Sequence, residues 1–247
     1  MKLKLKLLKI FLGLAVFIFL LSFSANRYAN KKLETMEIAI DREEGRKFLN
    51  DSLVLTILNH KNHPTERLAM GAIQVDYLES LLNANPFVEH AKVFKSVDGA
   101  LKVDIEQKKP ILRINNGVDE EYYLGEDLTK IPLSNLYAVK VMMVGGAIDS
   151  ADYVGLKDLS EIVMADKLLK KHIIAVKKQA PNSFNLLVNK GDYIIEFGAL
   201  DNIEEKFDNL KLFYEQYLGK VGLSYYEKIN LKFNNQIVAT KRVSDEK

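Results

Sequence analysis

The stretch from Ile10 to Ala25 constrains this chain more than any other, because it decides which compartment the remaining residues work in. From Phe11 to Leu21 it carries no polar or charged side chain. With Leu7, Leu8, Ser22 and Phe23 it reaches the roughly 17–25 residues that cross a bilayer. The sequence holds no second run of this kind. Lys2, Lys4, Lys6 and Lys9 precede it, and Arg27, Lys31 and Lys32 follow. The charge balance and the short leading tail together favour an N-terminus inside, so everything after Asn26 is expected beyond the cytoplasmic face. A cleaved signal peptide is the alternative, since Ser22-Phe23-Ser24 offers small residues at a suitable spacing. Its apolar core would sit at the upper end of the roughly 7–15 residues usual for such a region.

After this run about 220 residues remain, enough for two modest domains. The hydrophobic share is 48% and the charged share 28%, with only 13 glycines and 5 prolines, so the exported part is expected to bury a core. The formal charge of +2 includes the basic leading tail. What remains is near neutral, which removes any case for a nucleic-acid surface. The absence of cysteine excludes disulfides, lipid acylation on a thiol and thiol catalysis.

Asn26 to Glu37 is polar and lysine-rich, and reads as a tether or as a helical continuation of the apolar run. Ile38 and Ile40 alternate with Glu37, Ala39 and Asp41, which predicts a short strand. Ser52 is expected to cap a short helix through Leu58, broken over Asn59 to Thr65 by Pro64. Leu68, Ile73, Leu78 and Leu82 recur at helical intervals, with Asp76 as the expected cap and an end near Asn83. Val88 to Ser96 and Ala100 to Gln107 alternate strongly about a Val97-Asp98-Gly99 turn, which predicts a hairpin with Ala91, Val93, Leu101, Val103 and Ile105 on one face. The order strand, helix, helix, hairpin resembles a POTRA domain. The likeness is carried by Asn85-Pro86-Phe87-Val88, Ala91-Lys92-Val93, Leu101-Lys102-Val103-Asp104-Ile105 and Lys109-Pro110.

Beyond Pro110 the pattern turns toward strands. Ile111 to Ile114, Tyr122 to Leu124, Lys130 to Leu133 and Val139 to Val144 are expected strands. Asp158 with Glu161 predicts a capping box for a helix carrying Leu159, Ile162, Val163, Leu168 and Leu169. Ile173 to Lys177, Phe184 to Val188 and Tyr193 to Phe197 predict a meander, turned at Pro181-Asn182 and Lys190-Gly191-Asp192. Asp201 with Glu204 predicts a second capping box, and Ile203, Phe207, Leu210, Phe213 or Tyr214 and Tyr217 then share a helical face up to Gly219. Ile229, Leu231 and Phe233 alternate, Asn234-Asn235 turns, and Gln236 to Lys241 closes a terminal hairpin.

Across essentially its whole length the chain resembles the FtsQ/DivIB cell-division family of the Bacteroidetes type. The most specific residues are Gly191-Asp192, Ile195-Glu196-Phe197-Gly198, Glu205-Lys206-Phe207-Asp208-Asn209-Leu210, Phe213-Tyr214, Tyr226, Ile229-Asn230-Leu231-Lys232 and Gln236-Ile237-Val238-Ala239. The resemblance implies an α+β fold: one transmembrane helix, a POTRA domain built strand-helix-helix-hairpin, then a β-rich domain with flanking helices. The expected divisions are a cytoplasmic tail over 1–9, the membrane helix over 10–27, a tether over 28–37, the POTRA domain over 38–109, the β domain over 110–241 and a tail over 242–247. It implies a single-pass type II protein of the inner membrane, mostly periplasmic and placed at the division septum, with FtsB and FtsL as partners.

Residues for chemistry are scarce. His60 and His63 have a metal-ligand spacing but no third ligand nearby, so solvated loop histidines are the plainer reading. His90 and His172 stand alone, the latter at a helix end where positive charge suits the dipole. The pairs Glu43-Glu44, Glu120-Glu121 and Glu204-Glu205 are chain neighbours and do not flank a substrate as glycosidase carboxylates must. No nucleophile elbow, zinc-binding helix or phosphate loop is written in the sequence. No catalytic, cofactor or metal residue is therefore expected.

Partner contacts are expected instead on the final hairpin, at Phe233, Asn235, Gln236, Ile237, Val238, Ala239, Thr240 and Lys241, because a terminal strand can lie at a sheet edge. Tyr225 and Tyr226 add contact area at low entropic cost, or one of them packs on the core. Lys206 stands where the family tends to carry a basic residue near its partner surface; a solvated helix lysine is the alternative. The expected function is a non-catalytic scaffold that orders other division proteins. A released POTRA-type chaperone and an anchored cell-wall hydrolase are its rivals.

Overall fold

The computed structural model describes residues 2–43, 46–59, 68–117, 120–233 and 236–242, with side chains from Lys6 onward. The break expected around Pro64, the His60 and His63 pair, Glu44, the Asn234-Asn235 turn and the tail beyond Arg242 lie outside them. The chain divides into two units, one ending at Gln107 and the other beginning at Lys108.

The first unit opens with α1 (Lys2–Ala29). Its stretch Lys6–Ala29 has a mean hydropathy of 2.4 in the most apolar window and no part buried by protein. The end of α1 is fastened to the rest of its unit. The Tyr28 hydroxyl donates to the Ser96 carbonyl at 3.0 Å, and the Gly71 and Met70 amides donate to the Ala29 and Lys31 carbonyls at 2.9 and 2.8 Å. Then come β1 (Thr35–Ile40), α2 (Asp51–Leu58), α3 (Val75–Asn83), β2 (Val88–Lys95) and β3 (Ala100–Gln107). The sheet order is β1-β3-β2, with β1 parallel and β2 antiparallel to β3. The expected alternation holds, because Ala91, Val93, Leu101, Val103 and Ile105 are buried while their neighbours Lys92 and Asp104 are exposed. Val54, Leu58, Leu78 and Leu82 are buried from the two helices. Gly99, at φ 92°, makes the hairpin turn that a side chain would strain.

Both helix caps differ from expectation. Asn50, not Ser52, caps α2, its side chain accepting the Leu53 amide at 2.8 Å. The helix starts two residues earlier than a cap at Ser52 would set it, which leaves Ser52 inside the first turn. Gln74 holds the cap position of α3 without a side-chain bond, and Asp76 sits inside the helix, where its charge faces the positive end of the dipole.

The second unit runs β4 (Pro110–Asn115), β5 (Glu121–Gly125), β6 (Lys130–Pro132), β7 (Met142–Gly145), α4 (Tyr153–Ala165), α5 (Lys167–His172), β8 (Ile173–Ala180), β9 (Ser183–Val188), β10 (Ile194–Gly198), α6 (Ile203–Phe213), β11 (Tyr226–Phe233) and β12 (Gln236–Lys241). Its nine strands are ordered β12-β11-β10-β9-β8-β7-β4-β5-β6. Strands β8, β9 and β10 form the expected meander, whereas β10 and β11 are parallel because α6 carries the chain between them. Leu156, Leu159 and Val163 of α4 and Ile203, Phe207 and Leu210 of α6 join Leu186, Ile195, Phe197, Ile229 and Leu231 of the sheet in one buried cluster.

Four sequence expectations give way here. Asp158 and Glu161 lie within α4; the capping box is made upstream by Asp149 and Asp152 around a short turn that leads into the helix. Leu168 and Leu169 belong to a separate helix, because Asp166 adopts an extended conformation and caps α5 through both of their amides. Asn202, in a left-handed conformation at φ 45°, precedes α6 without a side-chain cap, and Asp201 turns to Lys206 instead of forming a box with Glu204. After Phe213 the helix widens into a π-turn over Tyr214–Leu218. That extra residue moves Leu218 into the core and leaves Tyr217 54% exposed.

His172 is also not the charged helix end expected. Its Nε2 lies 2.6 Å from the Tyr193 hydroxyl, which bonds to Tyr214 at 3.1 Å, and burial holds the imidazole below its ordinary range. It favours the neutral form.

Candidate functional site

The terminal hairpin ends in an edge strand. Among the described residues β12 pairs only with β11, through Ile229 with Ala239 and Asn230 with Val238, and the register is interrupted on both sides of this pairing. Strand geometry then divides its side chains. Ile237 and Ala239 are half-buried toward α6 and the core, whereas Gln236, Val238, Thr240 and Lys241 are exposed, Val238 by 40%. Along the free side alternate amides and carbonyls have no partner strand.

Beside β12 lies a shallow depression lined by Asn202, Glu205, Asn209, Phe233, Gln236 and Ile237, with Lys206 and Leu231 beneath. Asn202, Glu205 and Asn209 were missed by sequence reasoning; their spacing along α6 was the available signal. Phe233, expected to alternate inward with Ile229 and Leu231, is instead 55% exposed at the lip of this depression. The bulge after Asn230 shifts its register.

Lys206 is neither solvated nor extended toward a partner. Its side chain is 10% exposed, its ammonium donates to the Ala199 carbonyl at 2.8 Å and to Asp201 at 2.5 Å, and it lies 4.9 Å from the centre of the Phe197 ring. The same bond holds the Asp201 carboxyl below the usual range. Lys206 thus fixes the start of α6, one wall of the depression. Glu196 ties β10 to β11 by accepting from Asn230 and Lys232, both at 3.0 Å.

Tyr225 and Tyr226 differ in how they pack. Tyr226 packs on Phe213 at 5.4 Å between ring centres, and Tyr225 stands edge-on to Tyr226 and is 38% exposed. The Lys241 ammonium lies 5.3 Å from the Tyr225 ring centre, and its interaction with the Tyr225 side chain raises the ammonium above its usual range. Arg242 donates to the Asp192 carbonyl and so pins the end of β12. Asn235 lies outside the described residues. Among the described residues no three His, Asp or Glu side chains converge as a metal would need.

One helix long and apolar enough to span a bilayer precedes a three-stranded unit with two helices and a nine-stranded sheet that ends in a six-residue edge strand, the layout of a membrane-anchored chain with two folded units. Residues 109–240 match the family described as FtsQ/DivIB, C-terminal related, and residues 32–106 match a POTRA-like domain. The chain belongs to the FtsQ/DivIB C-terminal related family, whose members serve cell division and are generally non-catalytic. No curated protein matches it significantly.

Proposed function

We propose that the chain is a non-catalytic scaffold of the division machinery, held in the inner membrane by α1 with its bulk in the periplasm at the septum. Its parts would be the tail over 1–9, the membrane helix over 10–27, the link over 28–37, the POTRA domain over 38–109 and the partner-binding β domain over 110–241. FtsB is the partner proposed for β12, and FtsL joins through the same assembly. The observation that carries this reading is the open edge of β12 within a domain of the FtsQ/DivIB family.

An incoming strand would satisfy the free amides and carbonyls of Gln236 to Lys241, with backbone bonds supplying affinity. Phe233 and Ile237 offer an apolar seat beside it, Val238 and Thr240 the exposed side-chain pattern, and Tyr225 with Lys241 an aromatic and cationic end. Lys206 and Tyr226 act by holding the walls. Confinement to the membrane raises the effective concentration of co-anchored partners, so individually weak contacts suffice.

The test is binding of a synthetic segment of the same organism's FtsB to the full-length chain, with competition by a strand-forming peptide. Saturable binding lost on substitution along β12 supports the reading. Binding that survives every β12 substitution refutes it. A C-terminal reporter active outside the cytoplasm, with the chain resisting alkaline extraction, checks the topology; a soluble species starting near Ala25 or Asn26 would instead favour a released chaperone.

A further inference from the structure

A second concave surface of the β domain shares no residue with the depression beside β12. Its exposed apolar floor is Met143, Met164, Leu168, Ile174 and Leu223, which are 37–50% exposed. They come from β7, the end of α4, α5, β8 and the loop before β11, so the chain gathers five large apolar groups from five places. Clustered exposure of this kind marks docking surfaces.

The rim is cationic. Lys140, Lys167, Lys170, Lys171 and Lys190 border the groove and are all exposed, and no carboxylate is among the lining side chains. Among the described residues none of these five ammonium groups forms an ion pair. Elsewhere in the same domain the lysines at 108, 130, 178, 206, 211 and 232 each meet an acid. The groove concentrates positive charge around an apolar floor and leaves it unneutralised.

We propose that this groove binds an acidic, amphipathic α-helical segment of a partner protein. Strand addition is closed to it, because β7 and β8 are paired on both sides. The occupant must therefore dock through side chains, and a helix of about 10–12 Å diameter with one apolar face suits a concave floor. A flat bilayer could reach the lysine rim but not the floor. Met143 and Met164 adapt to irregular apolar partners. Five lysines with no acid select a segment whose flanks carry Asp and Glu. This site stands independently of the β12 reading.

The experiment uses the full-length chain in neutral-lipid nanodiscs with methyl-labelled methionine. The probe is a synthetic helix of about 20 residues with leucines on one face and glutamates on its flanks. Expected are shifts of the Met143 and Met164 methyls, binding that weakens as salt rises, and a loss of about tenfold or more in K167Q/K170Q/K171Q. A second variant, Ile174→Asp on the exposed floor, should lose binding without changing the circular dichroism spectrum. Whichever proline variant of β12, Val238→Pro or Ala239→Pro, keeps its fold should bind the probe normally, which separates failure here from failure at β12. Equal binding of a scrambled peptide, or of one with lysine for glutamate, would overturn the proposal. So would shifts of these methyls by phosphatidylglycerol vesicles but not by the probe, or by raising the protein concentration alone.

Discussion

The two edges of the nine-stranded sheet are built in opposite ways. β6 has three residues, ends in Pro132, which lacks a donor, and carries Lys130, bonded to Glu120 at 2.6 Å and lying 4.5 Å from the centre of the Tyr122 ring. Its middle residue, Ile131, is fully buried. β12 has six residues and no proline, and its exposed side carries Val238 and Thr240. Short length, proline and charge are the usual means of blunting an edge. One edge uses all three, while the other has only Lys241 near its end. The difference teaches that one sheet can blunt one edge and leave the other accessible to a strand, which is the feature that the proposed partner site uses.

The largest contrast should come from truncating one residue on each edge. Ile131→Ala should cost about 2–5 kcal/mol in urea unfolding, because a buried side chain leaves a cavity. Val238→Ala should stay within about 0.5 kcal/mol. Comparable losses would mean that both edges are structural.

Next is proline substitution along β12. Successive amides of a strand point alternately to its neighbour and outward. Of Val238→Pro and Ala239→Pro, one should keep the fold and weaken binding of the FtsB segment about tenfold or more, a change of about 1.4 kcal/mol. The other should disturb pairing with β11. Unchanged affinity in both folded variants would remove the partner from this edge.

A smaller effect is the response to pH. The bond from Lys130 holds the Glu120 carboxyl below its ordinary range. Its contribution is present above the unfolded value of about 4.3 and is lost as pH falls through the lower folded value. At β12 the neighbouring Tyr225 side chain raises Lys241. That contribution is present below the unfolded value of about 10.4 and is lost as pH rises through the higher folded value. β6 should loosen at both extremes, because the same pair holds the Lys130 ammonium above its ordinary range, and β12 in alkali alone, read from amide exchange on one side and Tyr225 signals on the other. Lys241→Gln should have the smallest effect, leaving the urea-unfolding midpoint close to that of the parent chain while abolishing the alkaline response.

Much of this architecture was readable because strand alternation is local. Leu101, Val103 and Ile105 announce their face without reference to the rest of the chain, and so do Ile229 and Leu231. Helix starts were not readable, since Asn50, Asp149 and Asp166 won their capping places from Ser52 and Asp158 through the conformation of the preceding chain. Tyr217 could not be placed, because a π-turn changes the period that pattern reading assumes. Around the candidate site the strand Gln236 to Lys241 was legible as a strand, whereas the depression needed α6 and the hairpin brought together. Lys206 illustrates the gap: its sequence position suggested an exposed contact, but its burial depends on Ala199, Asp201 and Phe197.

The fastening at the end of α1 has a mechanical consequence. Its 28 residues extend about 42 Å, against a hydrocarbon layer of about 30 Å. With α1 in a bilayer, the excess would carry the helix through the headgroups to where Tyr28, Ala29 and Lys31 bond to Ser96, Gly71 and Met70. A leash would let the first unit wander; this junction makes the helix a lever. Helices answer bilayer thickness by tilting, so a thinner or thicker membrane would lean the POTRA-like unit with it, and lipid composition becomes an input to the direction in which that unit points.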